Sequence, residues 1–188
     1  ASKGYVVAAI RHDDPDIAER AKFVGPLVNR PRDIAFAAAQ LQQRFPDLVD
    51  PARTALIGYS MGGYGVLTVA GAKVDPAGPI AKAIPGGALV ADAGALKVAG
   101  LKAVVAISPF GGNGLDIWGR DGLAGISVPL LLIAGTRDKV VGYDSGAAGF
   151  FAAATHADRY LLSFREAGHS IGLNPAPPEM TTTLWDFD

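Results

Sequence analysis

The chain has no cysteine among its 188 residues. Disulfides, thiol catalysis and thiolate-bound metals are therefore excluded. Charge is scarce and balanced: 17 Lys and Arg stand against 18 Asp and Glu, leaving a formal net charge of -1. There is no basic run or stripe, and so no support for nucleic-acid binding. No apolar run reaches the roughly 18 residues of a membrane-spanning helix, and no signal peptide is visible. The compartment is not readable from these absences. The opening "ASKGYVVAAI" lacks an initiator methionine and lies close to a strand. It reads as a chain cut at its N-terminus, which leaves export open.

What the chain does have is apolar residues (49%) and 24 glycines. This composition suits a closely packed α/β protein, and the length suits one domain over 1–188. Five short apolar runs read as strands: Tyr5–Ile10, Thr54–Tyr59, Ala103–Ser108, Leu130–Ala134 and Tyr160–Phe164. Continuous rather than alternating apolar character predicts a parallel sheet buried on both faces. Helical patterns lie between the runs. In "RPRDIAFAAAQLQQRF", Ile34, Ala38, Leu41 and Phe45 share one face, with Pro31 suited to the first turn and Pro46 ending the helix. Further helices are expected at about Met61–Ala70 and Gly146–Ala154. Alternating strands and helices imply right-handed crossovers and a three-layer α/β/α sandwich on a mostly parallel sheet. The stretch from Gly71 to Gly100 reads either as a long surface connection with short helices or as a cap over a pocket.

The segment "ALIGYSMGGYG", Ala55 to Gly65, carries the chemistry. Gly58-Tyr59-Ser60-Met61-Gly62 fits G-x-S-x-G, the tight strand-to-helix turn that exposes a nucleophilic serine. Small residues on either side let strand and helix approach. The following helix turns its N-terminus, with free N–H groups, toward the serine. The Met61 N–H is then the natural oxyanion donor. The plainer alternative is a serine N-cap in a glycine-rich turn. The placement after "TALI" and before "GVLTVA" favours the nucleophile.

A serine hydroxyl needs a base, and the base needs an orienting acid. Three histidines are available. His169 follows the last strand and so emerges at the same sheet edge as Ser60. His12 follows the first strand and stays open as an alternative. His156 precedes a strand, at the opposite edge, and reads as a surface residue. Asp138 lies four residues beyond Ala134, at the favoured edge. Asp144, Asp116 and Asp121 are less well placed. The chain order Ser60, Asp138, His169 is the order of α/β-hydrolases.

On these residues the chain resembles the α/β-hydrolase superfamily. More narrowly, it is similar to the dienelactone hydrolase and platelet-activating-factor acetylhydrolase group. The likeness runs through "SKGYVVAAIRHDD", "RPRDIAFAAAQL", "DPARTALIGYSMGGYGVLTVAG", "ISVPLLLIAGTRDKVV" and "REAGHSIGL". It implies Ser60 as nucleophile, Asp138 as acid, His169 as base, and ester hydrolysis of a small molecule without a cofactor. Dienelactone hydrolase itself uses a cysteine, and this chain has none, which points to a general carboxylic ester. The superfamily also has an earlier strand whose loop donates a second oxyanion N–H. None precedes "ASKGYVVAAI", so either an N-terminal portion is missing or Tyr5–Ile10 pairs with Thr54–Tyr59. In the second case the backbone near Arg11 and His12 supplies the donor. The expected substrate-binding residues are Tyr59, Pro109, Phe110 and Trp118; Trp118 could equally cover the core. "RHDDPD" gathers a histidine and carboxylates but reads as a solvated turn rather than a metal site.

Overall fold

The computed structural model describes residues 3–15, 24–89 and 96–172. Four of the expected strands form: β1 (Thr54–Tyr59), β2 (Leu101–Ile107), β3 (Leu130–Gly135) and β4 (Arg159–Phe164). They pair in parallel in the order β1-β2-β3-β4. Helices α1 (Val24–Arg44), α2 (Met61–Val69), α3 (Pro79–Ala83) and α4 (Gly149–Ala153) accompany them. The fold is an α/β sandwich built on a parallel sheet.

The strand order explains where the core sits. Strands added successively in one direction, each by a right-handed crossover, put their connections on the same face of the sheet. Val104, Ala106, Leu130 and Leu132 point to that face and join one cluster with Leu27, Ile34, Tyr64, Leu67 and Phe150. On the other face Ile57 is 71% and Leu162 47% exposed among the described residues. Burial therefore alternates along β1 and over Arg159–Leu162 of β4, whose last residues are all exposed, where continuous burial is the sequence expectation.

Tyr5–Ile10 is not a strand. Its residues lie in no regular element and are exposed, Tyr5 by 73% and Val7 by 76%. An apolar run becomes a strand only when a neighbour completes its hydrogen-bond ladder, and this run is not paired with β1, whose one ladder partner among the described residues is β2. It runs beside α1 instead. Ala8–Arg11 and Asp13 line a groove of about 570 Å³ with Phe36, Ala37 and Leu41. His12 Nδ1 and Asp33 Oδ2 lie 2.7 Å apart, and Arg30 Nε donates to Asp14 Oδ2 at 2.9 Å. Of the two alternatives read from the sequence, the pairing of Tyr5–Ile10 with Thr54–Tyr59 is thus overturned, and with it the case for an oxyanion donor near Arg11 and His12. His12 is tied to α1 rather than to Ser60.

Helix α1 begins a full two turns before Pro31, which sits inside it. Proline has no N–H, so the carbonyl four residues back loses its helical donor. That carbonyl belongs to Leu27, and the Tyr64 hydroxyl donates to it at 3.0 Å. A tyrosine from α2 thus satisfies the carbonyl that Pro31 leaves without a donor, and the proline expected in the first turn sits inside the helix instead. The stretch expected as a helix over Gly146–Ala154 opens as a π-turn, Tyr143–Ala148, and becomes regular at α4. Between β1's helix and β2, α3 and a 3₁₀ turn at Pro85–Gly87 bring Ala81 and Ile84 into the core, with Ala72, Val74, Leu89 and Val98.

Candidate active site

Ser60 closes β1 and caps α2 with φ 53 and ψ -115. This left-handed conformation is strained for a residue with a side chain. It survives because strand and helix are pressed together around it. A Cβ on Gly58 would lie 2.2 Å from the Gly62 carbonyl oxygen, and one on Gly63 2.8 Å from Pro109. Gly62 is different: a Cβ there meets nothing within 4 Å. Of the two glycines flanking the serine, only Gly58 is required by space. The Ser60 carbonyl accepts from the Tyr64 N–H at 3.1 Å and the Phe110 N–H at 3.0 Å, which locks the turn to the loop after β2.

The three triad candidates meet at the carboxyl edge of the sheet. Ser60 Oγ lies 3.0 Å from His169 Nε2, and His169 Nδ1 lies 2.8 Å from Asp138 Oδ2. Both His169 and Asp138 are buried. The other carboxylate oxygen of Asp138 accepts from the N–H groups of Val140 and Val141, each at 3.0 Å. Burial alone pushes the Asp138 carboxyl up. The hydrogen bonds from His169 and the Val141 N–H outweigh it and hold the pKa below the ordinary value. The Ser108 hydroxyl adds a weaker pull; it is buried and has no partner at full hydrogen-bond geometry. Asp138 is thus an ionised acceptor, so His169 Nδ1 carries the proton and Nε2 turns its lone pair to the serine.

The loops holding the acid and the histidine are stitched together. The Arg137 N–H donates to the Ala167 carbonyl at 2.9 Å, and the Glu166 N–H to Thr136 Oγ1 at 3.0 Å. Arg137 and Glu166 also form an ion pair. Gly135 permits this approach, since a Cβ there would lie 2.1 Å from the Ala167 oxygen. The glycine directly after "LLLIA" was the available sequence signal for it.

Met61 is the first residue of α2, so its N–H has no acceptor within the helix and lies next to the serine. His156 is exposed before β4, and Asp116, Asp121 and Asp144 are exposed. The expected substrate contacts fare less well. Pro109 is fully buried against α2. Trp118 is 3% exposed, stacked on Tyr64 at 5.3 Å and edge-on to Phe150 at 6.5 Å. Both belong to the core. Trp118 lines a cavity of about 290 Å³ with Gly111, Asp116 and Phe150, but Ser60 and His169 do not line it. Tyr59 is half-buried and turned toward His169, its hydroxyl donating to the His169 carbonyl at 3.2 Å. Phe110 remains partly exposed beside Ser60.

Comparison with known proteins adds one observation. The chain shares the fold of an esterase. It is similar to the crystal structure of esterase PE8, with 21% identity, a TM-score of 0.50, and 87% of this chain covered. The chain spans 64% of the length of that esterase. No family model matches it, and no curated protein does.

Proposed function

We propose that the protein is a serine hydrolase of the α/β-hydrolase superfamily, one domain over 1–188, that cleaves carboxylic esters of small molecules through an acyl-enzyme. The observation that carries this is the unbroken chain Ser60 Oγ, His169, Asp138, at 3.0 and 2.8 Å, with the serine on a strained turn at a helix N-terminus. His169 Nε2 takes the Ser60 proton as Oγ attacks the ester carbonyl carbon. The carbonyl oxygen becomes an oxyanion facing the Met61 N–H and the positive end of α2. The C–O bond to the alcohol breaks, and the alcohol leaves with the proton from His169. A water then loses its proton to His169 and attacks the acyl carbon; the C–Oγ bond breaks, His169 returns the proton to Ser60 Oγ, and the acid is released. Asp138 holds the imidazole in the required tautomer and offsets its charge. The narrower likeness to dienelactone hydrolases rests on sequence resemblance alone.

The same machinery would serve an amide, so the ester preference is a claim about the leaving group. It is tested by steady-state assay of a short-chain nitrophenyl ester against the matching anilide. The ester should turn over at a rate abolished by Ser60→Ala. Binding without turnover would show a non-catalytic ligand-binding protein and overturn the proposal. Faster turnover of the anilide would overturn the ester assignment alone. No helix of the described residues is long and apolar enough to cross a membrane.

A further inference from the structure

His169 is gripped from three sides. Asp138 holds Nδ1 and Ser60 meets Nε2. The third grip is on its backbone: the Tyr59 hydroxyl reaches the His169 carbonyl at 3.2 Å. Tyr59 and Ser60 are consecutive residues at the end of β1, one edge of the described sheet, while His169 follows β4, the other edge. Two neighbouring side chains of one strand therefore tie the histidine's main chain and ring across the full width of the sheet. The two rings also pack together, with centroids 5.2 Å apart and planes tilted by 35°.

The two ties behave differently during a reaction. The contact between Ser60 and Nε2 is lost each time the serine becomes acylated. The contact to the backbone carbonyl involves no reacting atom and persists through both half-reactions. We infer that Tyr59 is a positioning residue, whose hydroxyl holds the His169 backbone so that Nε2 stays in reach of first the serine and then the hydrolytic water. This rests on the serine hydrolase reading. It deepens it by assigning a fixed strut to the residue before the nucleophile, a position read from sequence as a substrate contact. The environment keeps the strut in working form. Burial first, and the Asp138 charge second, push the Tyr59 phenol up to about 12. It therefore remains a neutral donor at alkaline pH.

The test compares two tyrosine-to-phenylalanine variants of the full chain, each deleting one hydroxyl that donates to a backbone carbonyl. Tyr59→Phe frees the His169 carbonyl and keeps the ring. Tyr64→Phe frees the Leu27 carbonyl, in the core and away from the histidine. Ester turnover, the rate of fluorophosphonate labelling, Tm, and the low-field proton resonance of His169 Nδ1–H are measured on the parent and both variants. Tyr59→Phe should lower kcat and the labelling rate about 3- to 10-fold, the worth of one hydrogen bond. KM should stay within about twofold, and the Nδ1–H resonance should shift or broaden. Tyr64→Phe should lower Tm more and leave that resonance in place. Equal labelling and an unmoved resonance in Tyr59→Phe would overturn the positioning role while the hydrolase reading stood. So would equal losses of kcat in the two variants. A parent that takes no label at Ser60 would overturn the hydrolase reading and this inference with it.

Discussion

Asp138 has two jobs that one substitution separates from packing. Asn at this position keeps the size and can still meet the Val140 and Val141 N–H groups through its carbonyl. It can no longer accept from Nδ1–H without turning its own amide away, so the wrong imidazole tautomer is favoured. Asp138→Asn should therefore slow ester turnover by about 10⁴-fold in a folded protein. Its effect on stability has a definite sign with pH. The folded-state pKa of Asp138 lies below the ordinary 3.8. The stabilisation from the ionised form is complete above that ordinary value and is lost as pH falls through the lower, folded one. The Tm gap between parent and Asp138→Asn should be flat at neutral pH and close below about pH 4. A gap that opens on acidification would contradict the assigned hydrogen bond between His169 and an ionised Asp138. That Ser60, Asp138 and His169 come together was legible from sequence because each stands a few residues past an apolar run, and chain order selects among the alternatives. The bond from Tyr59 was not legible because its partner is a backbone carbonyl 110 residues away, which leaves no trace in side-chain pattern.

The elbow between β1 and α2 is held by unequal glycines. Gly58→Ala drives a methyl into the Gly62 carbonyl, which is backbone and cannot swing aside. Gly62→Ala puts the methyl into open space and replaces glycine by the best helix former. Thermal unfolding should show Gly58→Ala well below the parent, and Gly62→Ala level with it or above by up to about 1 kcal/mol. Equal losses would mean that the strand and helix are not packed as described. The motif reading treats the two as equivalent, because G-x-S-x-G records composition and not which atom meets which. The same limit applies to α1. In the sequence Pro31 suits a first helical turn; it is accepted inside α1 because Tyr64 from α2 satisfies the Leu27 carbonyl, and that contact spans 37 residues. Three strands were legible almost to the residue; Tyr5–Ile10 was not, since its apolar pattern is that of a strand and only the missing ladder says otherwise.

The sheet as a whole is loaded on one face among the described residues. Leu132 is fully buried against the helices, while Leu162 on the neighbouring strand points the other way and is half exposed. Leu132→Ala should cost about 2–5 kcal/mol, the range for a leucine removed from a packed core. Leu162→Ala should cost under about 1 kcal/mol, as for a surface change. Chemical denaturation of the two variants measures this difference, and equal losses would show the second face to be covered as well. The sequence expectation of strands buried on both sides arises because apolar content alone does not say which face finds a partner. The same structure that leaves one face exposed aligns the four strand ends, so that loops after β1, β3 and β4 deliver serine, acid and histidine to one edge. The claim that this edge is a working nucleophilic site is tested most directly by fluorophosphonate labelling with peptide mass mapping. The account predicts a single adduct on Ser60, absent from Ser60→Ala and strongly slowed in Asp138→Asn. Labelling that persists in Ser60→Ala, or falls on another residue, would contradict it.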